Sequence, residues 1–266
     1  MNEKIYTNDE LKELLTKVIE DCTKGLPGQI FWYSKYNQPH SIIDGVLSEV
    51  VHAAIYQTFC SGTAGGGWDH VDKGENKHSS YVQSKFCGNC DKKVSFFGAN
   101  CPHCDSTDFK ARKAQKTFTK TNPKDARWGI QADTHFNLYE ELKEYRLSLI
   151  EPEKDEPDCR KFRIRSWKIN KDSEYFNLYA KAESESKKSN NINFQPLSAD
   201  FYLSEPILIF DGTLEVLEDS TKFTLSFFDI ENNTPEEIPT EHKDISSEDR
   251  INKKSFGKER GDWVRN

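Results

Sequence analysis

Two pairs of closely spaced cysteines constrain the fold of this chain more than any other feature. Cys87 and Cys90 are two residues apart, Cys101 and Cys104 are two residues apart, and ten residues separate the pairs. A two-residue gap lets both thiolates of a pair reach one ion at about 2.3 Å, and four thiolates in tetrahedral geometry favour zinc. Since no coordination position is left for water, the spacing predicts a structural Zn²⁺ ribbon with residues 91–100 as its hairpin.

The composition narrows the class of protein. The chain has 266 residues, of which 35% are hydrophobic and 30% charged, and its net charge is −7. Such a chain can bury a core without disulfides, and its charge argues against a uniformly basic nucleic-acid binder. No apolar run approaches the roughly 18 residues of a membrane span, and the charged N-terminus lacks a signal-peptide core. We therefore expect a cytoplasmic protein, and in that reducing compartment the cysteine pairs indicate metal binding and not disulfides.

Hydrophobic periodicity predicts helices and strands on both sides of the cysteine pairs. Thr7 and Glu10 form a potential capping box before a helical apolar stripe that starts at Leu11. The predicted helices span residues 8–22, 41–59, 129–142 and 172–183. The predicted strands span residues 68–72, 79–86, 144–150 and 161–169, followed by alternating runs over 192–230. The ribbon is therefore expected to be an insertion in a larger core.

The second predicted strand carries polar residues that call for an explanation. Gln83 and Lys85 fall on the same side of this strand. Asp69 opens the strand before it, and Glu49 lies on the preceding helix. Along the chain, the predicted order is a helix, a hairpin that carries an Asp and then a polar-x-Lys, another helix and two more strands. That order resembles the PD-(D/E)XK nuclease superfamily and, within it, the type II restriction endonucleases.

The resemblance implies a fold and a division of the chain. We expect an α/β (α+β), restriction-endonuclease-like core, with a mixed central sheet flanked by helices and the zinc ribbon inserted at about residues 86–110. Residues 41–185 would form this nuclease core, and residues 1–40 an N-terminal helical region. Residues 186–266 would form a β-rich region for DNA recognition and dimerisation, with a polar, basic tail.

The resemblance also implies Mg²⁺-dependent hydrolysis of phosphodiester bonds in specific double-stranded DNA sequences. Asp69, Gln83 and Glu49 would be the Mg²⁺ ligands. Lys85 would hold the attacking water or stabilise the pentavalent phosphate. The family has Asp or Glu where Gln83 stands, so Glu49 would restore the missing charge.

Four further polar residues are candidates for completing this site. Asp72 and Glu75 are the next candidates for the missing acid. Gln131 and His135 lie four residues apart inside the apolar stripe of the predicted helix 129–142. Some exonuclease relatives carry Gln-x-x-x-Tyr at this place, so the resemblance implies that the pair supports the active site. A hydrogen-bonded pair in the core is the alternative.

A basic segment follows the ribbon. Residues 110–128 hold seven Lys or Arg against one Asp, although the whole chain is acidic. Such a segment suits sequence-independent binding of DNA phosphates, with a solvated loop as the alternative. A palindromic target cut on both strands would require a homodimer. The predicted DNA-binding residues are Lys110, Arg112, Lys113, Lys116, Lys120, Lys124 and Arg127.

Two other functions stay open. A non-catalytic zinc-ribbon DNA-binding protein would explain the cysteines and the basic segment, but not the polar residues of the predicted hairpin. An HNH-type nuclease would use His70 as its base, with Asn76 and His78 nearby, although here both cysteine pairs follow these residues instead of bracketing them. Incubation of plasmid DNA with Mg²⁺ tests the first alternative, and substitution of His70 tests the second.

Overall fold

In the computed structural model of the chain, a five-stranded sheet is the central element. The structure describes residues 6–37, 45–61, 69–80, 85–95, 97–110, 127–131, 141–153, 160–186 and 191–255. In spatial order the strands of the sheet are β1 (Gly74–Ser80), β6 (Glu144–Pro152), β7 (Lys161–Asn170), β9 (Ile207–Val216) and β10 (Thr221–Phe228). β1 pairs with β6 in parallel, and the other neighbours are antiparallel. This mixed sheet, with helices on both faces, confirms the predicted fold class.

The sheet is continuous across the predicted boundary at residue 185. Strands β9 and β10 belong to the segment 186–266, yet they pair directly with β7 of the predicted nuclease core. Strands β6 and β7 match the predicted strands 144–150 and 161–169. Their apolar alternation places Leu149 in the core on one face and Ile150 in the core on the other.

Three N-terminal helices cover one face of the sheet: α1 (Asn8–Thr23), α2 (Leu26–Lys35) and α3 (Gly45–Ile55). The predicted capping box is present, because Thr7 Oγ1 accepts a hydrogen bond from Glu10 N at 3.3 Å and Glu10 Oε2 accepts one from Thr7 N at 2.8 Å. Leu11, Leu15 and Ile19 of α1 are buried at helical spacing. The predicted helix 8–22 is confirmed, and α3 covers the described part of the predicted helix 41–59 up to Ile55.

The other face is covered by a two-stranded sheet and two helices. These elements are β5 (Trp128–Gln131), β8 (Asn191–Phe194), α4 (Glu174–Ser186) and α5 (Ala199–Leu203). Helix α4 confirms the predicted helix 172–183 to within a few residues. Trp128 is fully buried, and its Nε1 donates a hydrogen bond to the Ser148 carbonyl at 3.0 Å. This bond ties the small sheet to the central sheet.

The predicted helix 129–142 is wrong at both of its described ends. Residues 128–131 form strand β5, and residues 141–143 are not helical. Trp128 and Ile130 alternate with exposed Gly129 and Gln131, which is the period of a half-buried strand. Pairing with β8 satisfies the backbone of this segment and overrides its helical pattern. Residues 132–140, including His135, lie outside the described residues.

The predicted zinc ribbon forms a separate three-stranded sheet of β2 (Lys85–Cys87), β3 (Lys93–Val94) and β4 (Phe109–Lys110), in the order β3-β2-β4. This arrangement overturns the predicted hairpin of strands 68–72 and 79–86. Residues 71–73 form a turn, and strand β1 then starts at Gly74 and pairs with β6. The physical reason is that Lys73 adopts a left-handed φ of 66° just before Gly74, so the chain turns there and residues 74–78, predicted to lie between the strands, are already part of β1.

The C-terminal part of the described chain packs back onto the second face. It contains a 3₁₀ helix, Thr240–His242, and helix α6 (Ser247–Ser255), which contacts α4. Arg250 of α6 donates hydrogen bonds to the buried Asp200, one of them at 3.0 Å to Oδ1. Among the described residues, no helix is both long and apolar enough to span a membrane.

Candidate active site and zinc ribbon

The four predicted zinc ligands meet at one point of the ribbon. The Sγ atoms of Cys87, Cys90, Cys101 and Cys104 all lie within 4.8 Å of one another. Cys87 and Cys104 are 3.5 Å apart, and so are Cys90 and Cys101. Tetrahedral coordination with Zn–S bonds of about 2.3 Å places the sulfurs roughly 3.8 Å apart, so the cluster fits one ion. The donor set of four thiolates suits zinc and leaves no position for water.

The two cysteine pairs adopt the same local geometry. The residue after each pair, Asp91 or Asp105, donates its backbone N–H to the carbonyl of the first cysteine, at 3.0 Å to Cys87 and 2.8 Å to Cys101. Both aspartates have left-handed φ angles, 59° and 57°. Asp tolerates this conformation better than most residues, so the aspartate after each pair permits the tight turn that brings its two thiolates together.

A second polar cluster lies where the central sheet begins, at the N-terminal end of β1. Glu75 and Lys77 are two residues apart on this strand, so their side chains project on the same side. Lys77 Nζ is 2.5 Å from Glu75 Oε1 and 3.9 Å from Asp69 Oδ2. The ammonium therefore bridges two carboxylates that come from the two ends of one short segment.

Glu75 has an oxygen that the described residues leave unsatisfied. Its side chain is 9% exposed, and Oε2 is buried without a hydrogen-bonding partner among the described residues. Burial, opposed by Lys77 and reinforced by Asp69, raises the pKa of the Glu75 carboxyl. Buried polar atoms normally have partners, so an unsatisfied carboxylate oxygen beside a second carboxylate indicates a position for a cation.

Asp69 is oriented by the backbone of β1. Its Oδ2 accepts a hydrogen bond from Asn76 N at 2.8 Å, and its backbone carbonyl accepts one from Ser61 N at 2.9 Å. The Asp69 side chain is 23% exposed, and the Lys77 side chain has the same exposed fraction. Both charged groups can therefore meet a ligand from solvent, whereas Glu75 lies beneath them.

Helix α3 supports the cluster from the other face of the sheet. Ser48 Oγ lies 3.1 Å from Asn76 Oδ1 and 2.7 Å from Ser148 Oγ, which links α3 to β1 and β6. The fully buried His70 donates from Nε2 to the backbone carbonyl of Glu49 at 2.9 Å. Burial raises the pKa of the Cys60 thiol, and the negative charges of Glu49 and Asp69 raise it further. The charge of Glu49 therefore also acts at this end of the sheet.

Comparison with known proteins identifies the family. The family model for the MamI restriction endonuclease matches residues 31–241. The chain belongs to the MamI restriction endonuclease family. No curated protein and no solved structure matches the chain. The residues matched to the MamI restriction endonuclease model include both the cysteine cluster and the polar cluster at the start of β1.

In this MamI-family chain, the structure brings together only part of the site expected from the sequence. Asp69 lies beside Glu75 and Lys77, whereas Lys85 belongs to the separate ribbon sheet, where it pairs with Val94. About 17 Å of strand β1 separates Glu75 from Ser80, where the described part of this strand ends, so the two lysines lie at different places in the fold. Gln83 lies outside the described residues.

The other predicted residues of the MamI-family chain are spread over several elements. Glu49 lies on α3, Gln131 is exposed on β5, and Arg127 is exposed just before β5. Lys110 ends strand β4. The remaining predicted DNA-binding residues lie outside the described residues: Arg112, Lys113, Lys116, Lys120 and Lys124.

Lys77 is not among the residues predicted from the sequence, and Glu75 is predicted only as a substitute for the missing acid. The signal was present, because Glu75-x-Lys77 has the acidic-x-Lys spacing and follows Asp69 by six residues. The sequence "DKGENK", residues 72–77, contains Gly and Asn, which favour turns, so the local pattern predicts a turn between strands 68–72 and 79–86. Asp72, the other substitute, binds Arg146 through both carboxylate oxygens.

Proposed function

We propose that this chain is a Mg²⁺-dependent type II restriction endonuclease, which hydrolyses phosphodiester bonds in specific double-stranded DNA sequences. The observation that carries the proposal is the cluster of Asp69, Glu75 and Lys77 at the start of β1. An Asp followed by Glu-x-Lys on a core strand has the order of the PD-(D/E)XK superfamily. In this assignment Glu75 and Lys77 replace Gln83 and Lys85.

Asp69 and Glu75 would hold the Mg²⁺ ion. The donor set fits, because both are carboxylates, Glu75 Oε2 has no other partner among the described residues, and hard cations prefer oxygen ligands. When bound, Mg²⁺ lowers the pKa of a coordinated water and neutralises charge that develops on the phosphate. The Asn76 N–H holds Asp69 in place, so the carboxylate does not have to reorganise before the reaction.

Lys77 would act on the reacting groups directly. Its ammonium is accessible to solvent and lies between the two acids, within reach of a water or a phosphate oxygen bound there. A cation at this place would orient the attacking water and stabilise the negative charge of the pentavalent phosphate. Glu49 remains the candidate for a third acid at this end of the sheet.

The rest of the molecule would stabilise the ribbon, bind DNA and form the dimer. The four cysteines would bind a structural Zn²⁺ ion, and the basic residues of segment 110–127 would contact DNA phosphates. Gln131 and His135 would support the active site. Cutting both strands of a symmetric target calls for a homodimer, and such an enzyme would act in the cytoplasm.

Digestion of plasmid DNA tests the proposal. The wild-type protein should cleave at defined positions when Mg²⁺ is added, and Glu75→Gln and Lys77→Ala should each abolish cleavage. Lys85→Ala discriminates between the two lysines: it should retain cleavage if Lys77 is the catalytic lysine and lose it if Lys85 is. Melting temperatures confirm that all three variants are folded.

Other outcomes identify the alternatives. DNA binding without cleavage under any divalent cation would support the non-catalytic zinc-ribbon protein. Loss of cleavage in His70→Ala, with full activity in Glu75→Gln, would support HNH chemistry. The structure disfavours that chemistry, since His70 is fully buried and its Nε2 is bound to a backbone carbonyl, whereas a general base must reach the water it activates.

A further inference from the structure

A fully buried arginine lies one strand away from the candidate active site. Arg146 of β6 is 0% exposed and binds two carboxylates. Its Nε donates to Glu144 Oε1 at 2.9 Å, its Nη1 to Asp72 Oδ1 at 3.2 Å and its Nη2 to Asp72 Oδ2 at 2.5 Å. The guanidinium carbon also lies 3.6 Å from the ring centre of Tyr56, which is the geometry of a cation–π contact. We call these four residues the Arg146 cluster.

The Arg146 cluster holds the segment that joins the two candidate metal ligands. Asp72 lies inside the segment 69–75, and Asp72 Oδ1 also accepts a hydrogen bond from Gly74 N at 3.3 Å. A Cβ atom at residue 74 would lie 2.4 Å from the guanidinium carbon of Arg146, so glycine is required for this approach. Lys73, between them, has the left-handed φ of 66° that turns the chain into β1.

The Arg146 cluster also determines which carboxylates can bind a cation. Both oxygens of Asp72 are bound to the guanidinium, and Arg146 lowers the pKa of Asp72 even though burial raises it. Glu144 is bound through one oxygen, Oε1, by Arg146 Nε. Glu75 Oε2, by contrast, has no partner among the described residues. The fork of Arg146 therefore neutralises two nearby carboxylates and leaves Asp69 and Glu75 as the acids that face the site.

We propose that Arg146 is a positioning residue: through Asp72 and Gly74 it fixes the distance between Asp69 and Glu75, and it keeps Asp72 and Glu144 from competing for the ion. This inference rests on the proposed function. Arg146 makes no contact with substrate in this assignment, so its effect must appear in metal dependence and not in DNA affinity. Residues that orient metal ligands typically change metal affinity or activity by about 10- to 100-fold when they are replaced.

Single-turnover cleavage across a Mg²⁺ titration tests the proposal with two variants. Arg146→Lys keeps a positive charge but loses the bidentate fork. Asp72→Asn keeps the shape of Asp72 and leaves the guanidinium paired with Glu144. Each should raise the Mg²⁺ concentration for half-maximal rate by about tenfold or more, while DNA affinity in Ca²⁺ stays within about twofold of wild type. The residual rate of Asp72→Asn should exceed that of Arg146→Lys, since the amide can still accept one hydrogen bond.

Arg163, which is more exposed than Arg146, forms the same kind of fork with Asp211 and provides a control. Arg163 of β7 binds both oxygens of Asp211 of β9, at 2.9 Å from Nε to Oδ1 and 2.5 Å from Nη2 to Oδ2, in the same sheet but two strands from β1. Arg163→Lys removes the same kind of fork and should leave the Mg²⁺ midpoint unchanged. The comparison separates an effect on the site from a general effect on the sheet.

The outcomes distinguish this inference from the function on which it rests. A wild-type Mg²⁺ midpoint in folded Asp72→Asn, with Glu75→Gln inactive, overturns the role of Arg146 and leaves the proposed function standing. Full activity of Glu75→Gln overturns the proposed function itself. If Arg146→Lys is unfolded at the assay temperature, Asp72→Asn alone decides. An equal shift in Arg163→Lys also overturns the inference, because the effect would then be structural.

Discussion

The cysteine ribbon and the candidate active site are both built from charged or ionisable side chains, but different contacts hold them in place. The ribbon has a small apolar cluster of its own, Cys87, Val94, Cys101 and Phe109, and its ligands are set by two local turns. The candidate active site is set by other elements, since α3, β6 and the Arg146 cluster all hold the segment that carries its acids.

This difference predicts how each region responds to change. The ribbon touches the rest of the described chain at few points, among them the edge-to-face contact of Phe97 with Phe162, whose ring centres are 6.2 Å apart. Its structure should depend on its metal and little on the sheet. The active site should instead depend on buried hydrogen bonds in the sheet, and not on the ribbon metal. A change in the ribbon should therefore leave the candidate active site intact, and a change in the site should leave the ribbon intact.

The largest expected effect is the loss of cleavage in Asp69→Asn. Asp69 is both a candidate ligand and the acceptor of the Asn76 N–H, so the variant should lose at least about 10⁴-fold in single-turnover rate, equivalent to roughly 5.5 kcal/mol. Metal analysis of the same sample should still give about one zinc per chain. Loss of zinc together with activity would show that the two regions are coupled, contrary to this comparison.

Acid should destabilise the sheet through His52, which lies on α3 with its Nε2 2.6 Å from Ser166 Oγ of β7. Burial, with Arg146 and His70 nearby, lowers its pKa from the ordinary 6.5 to about 3. Between these values the unfolded chain binds a proton that the folded chain does not, so the free energy of unfolding falls as the pH drops. The loss approaches roughly 5 kcal/mol near pH 3.

Urea unfolding followed by tryptophan fluorescence measures this loss, because Trp128 and Trp167 are both buried in the core of the second face. In His52→Gln the slope of stability against pH between 6.5 and 3 should decrease, although the variant is less stable at neutral pH. An unchanged slope would assign the acid sensitivity to other groups.

Removal of the ribbon metal should have a smaller effect on the rest of the molecule. Cys101→Ser should release zinc and expose residues 85–110 to protease, because their small apolar cluster cannot hold the fold alone. The melting temperature of the central sheet should fall by only about 2–4 °C, as expected for a loss near 1 kcal/mol. Cys22→Ser, at an exposed cysteine outside the ribbon, is the matched control, and it should change neither the zinc content nor the proteolysis.

The two regions also differ in how well they could be predicted from the sequence. The ribbon ligands are specified by spacing over 18 residues, and the capping box of α1 and the alternation of β6 and β7 are equally local. Strand β1 is the opposite case: "GENKHSS" contains no large apolar residue, yet Glu75, Asn76 and Ser79 are buried. Ser48 of α3 binds the Asn76 amide oxygen and is itself bound to Ser148 of β6, and no local pattern reveals these distant partners.

The two candidate lysines, Lys85 and Lys77, show the same limit of local patterns. Gln83-x-Lys85 and Glu75-x-Lys77 have the same spacing, and although only the second has an acidic residue, Gly74 and Asn76 around it favour a turn. In the structure, the turn at Lys73 and the parallel pairing of β1 with β6 bring Lys77 near Asp69, whereas Lys85 lies in the ribbon sheet. This placement depends on tertiary contacts.

The smallest expected effect concerns the hydrogen bonds between α2 and the ribbon. Asn37 donates from Nδ2 to the Lys93 carbonyl at 3.3 Å and accepts at Oδ1 from Ser95 N at 3.0 Å, so its amide joins the helix end to the strand β3 region. Asn37→Asp keeps the acceptor but places a carboxylate against the Lys93 carbonyl. We expect a loss of about 1 kcal/mol in the protection of residues 85–95 against hydrogen exchange, with zinc content and cleavage rate unchanged. A larger loss that also slows cleavage would mean that docking of the ribbon supports the active site, and the independence of the two regions would then be wrong.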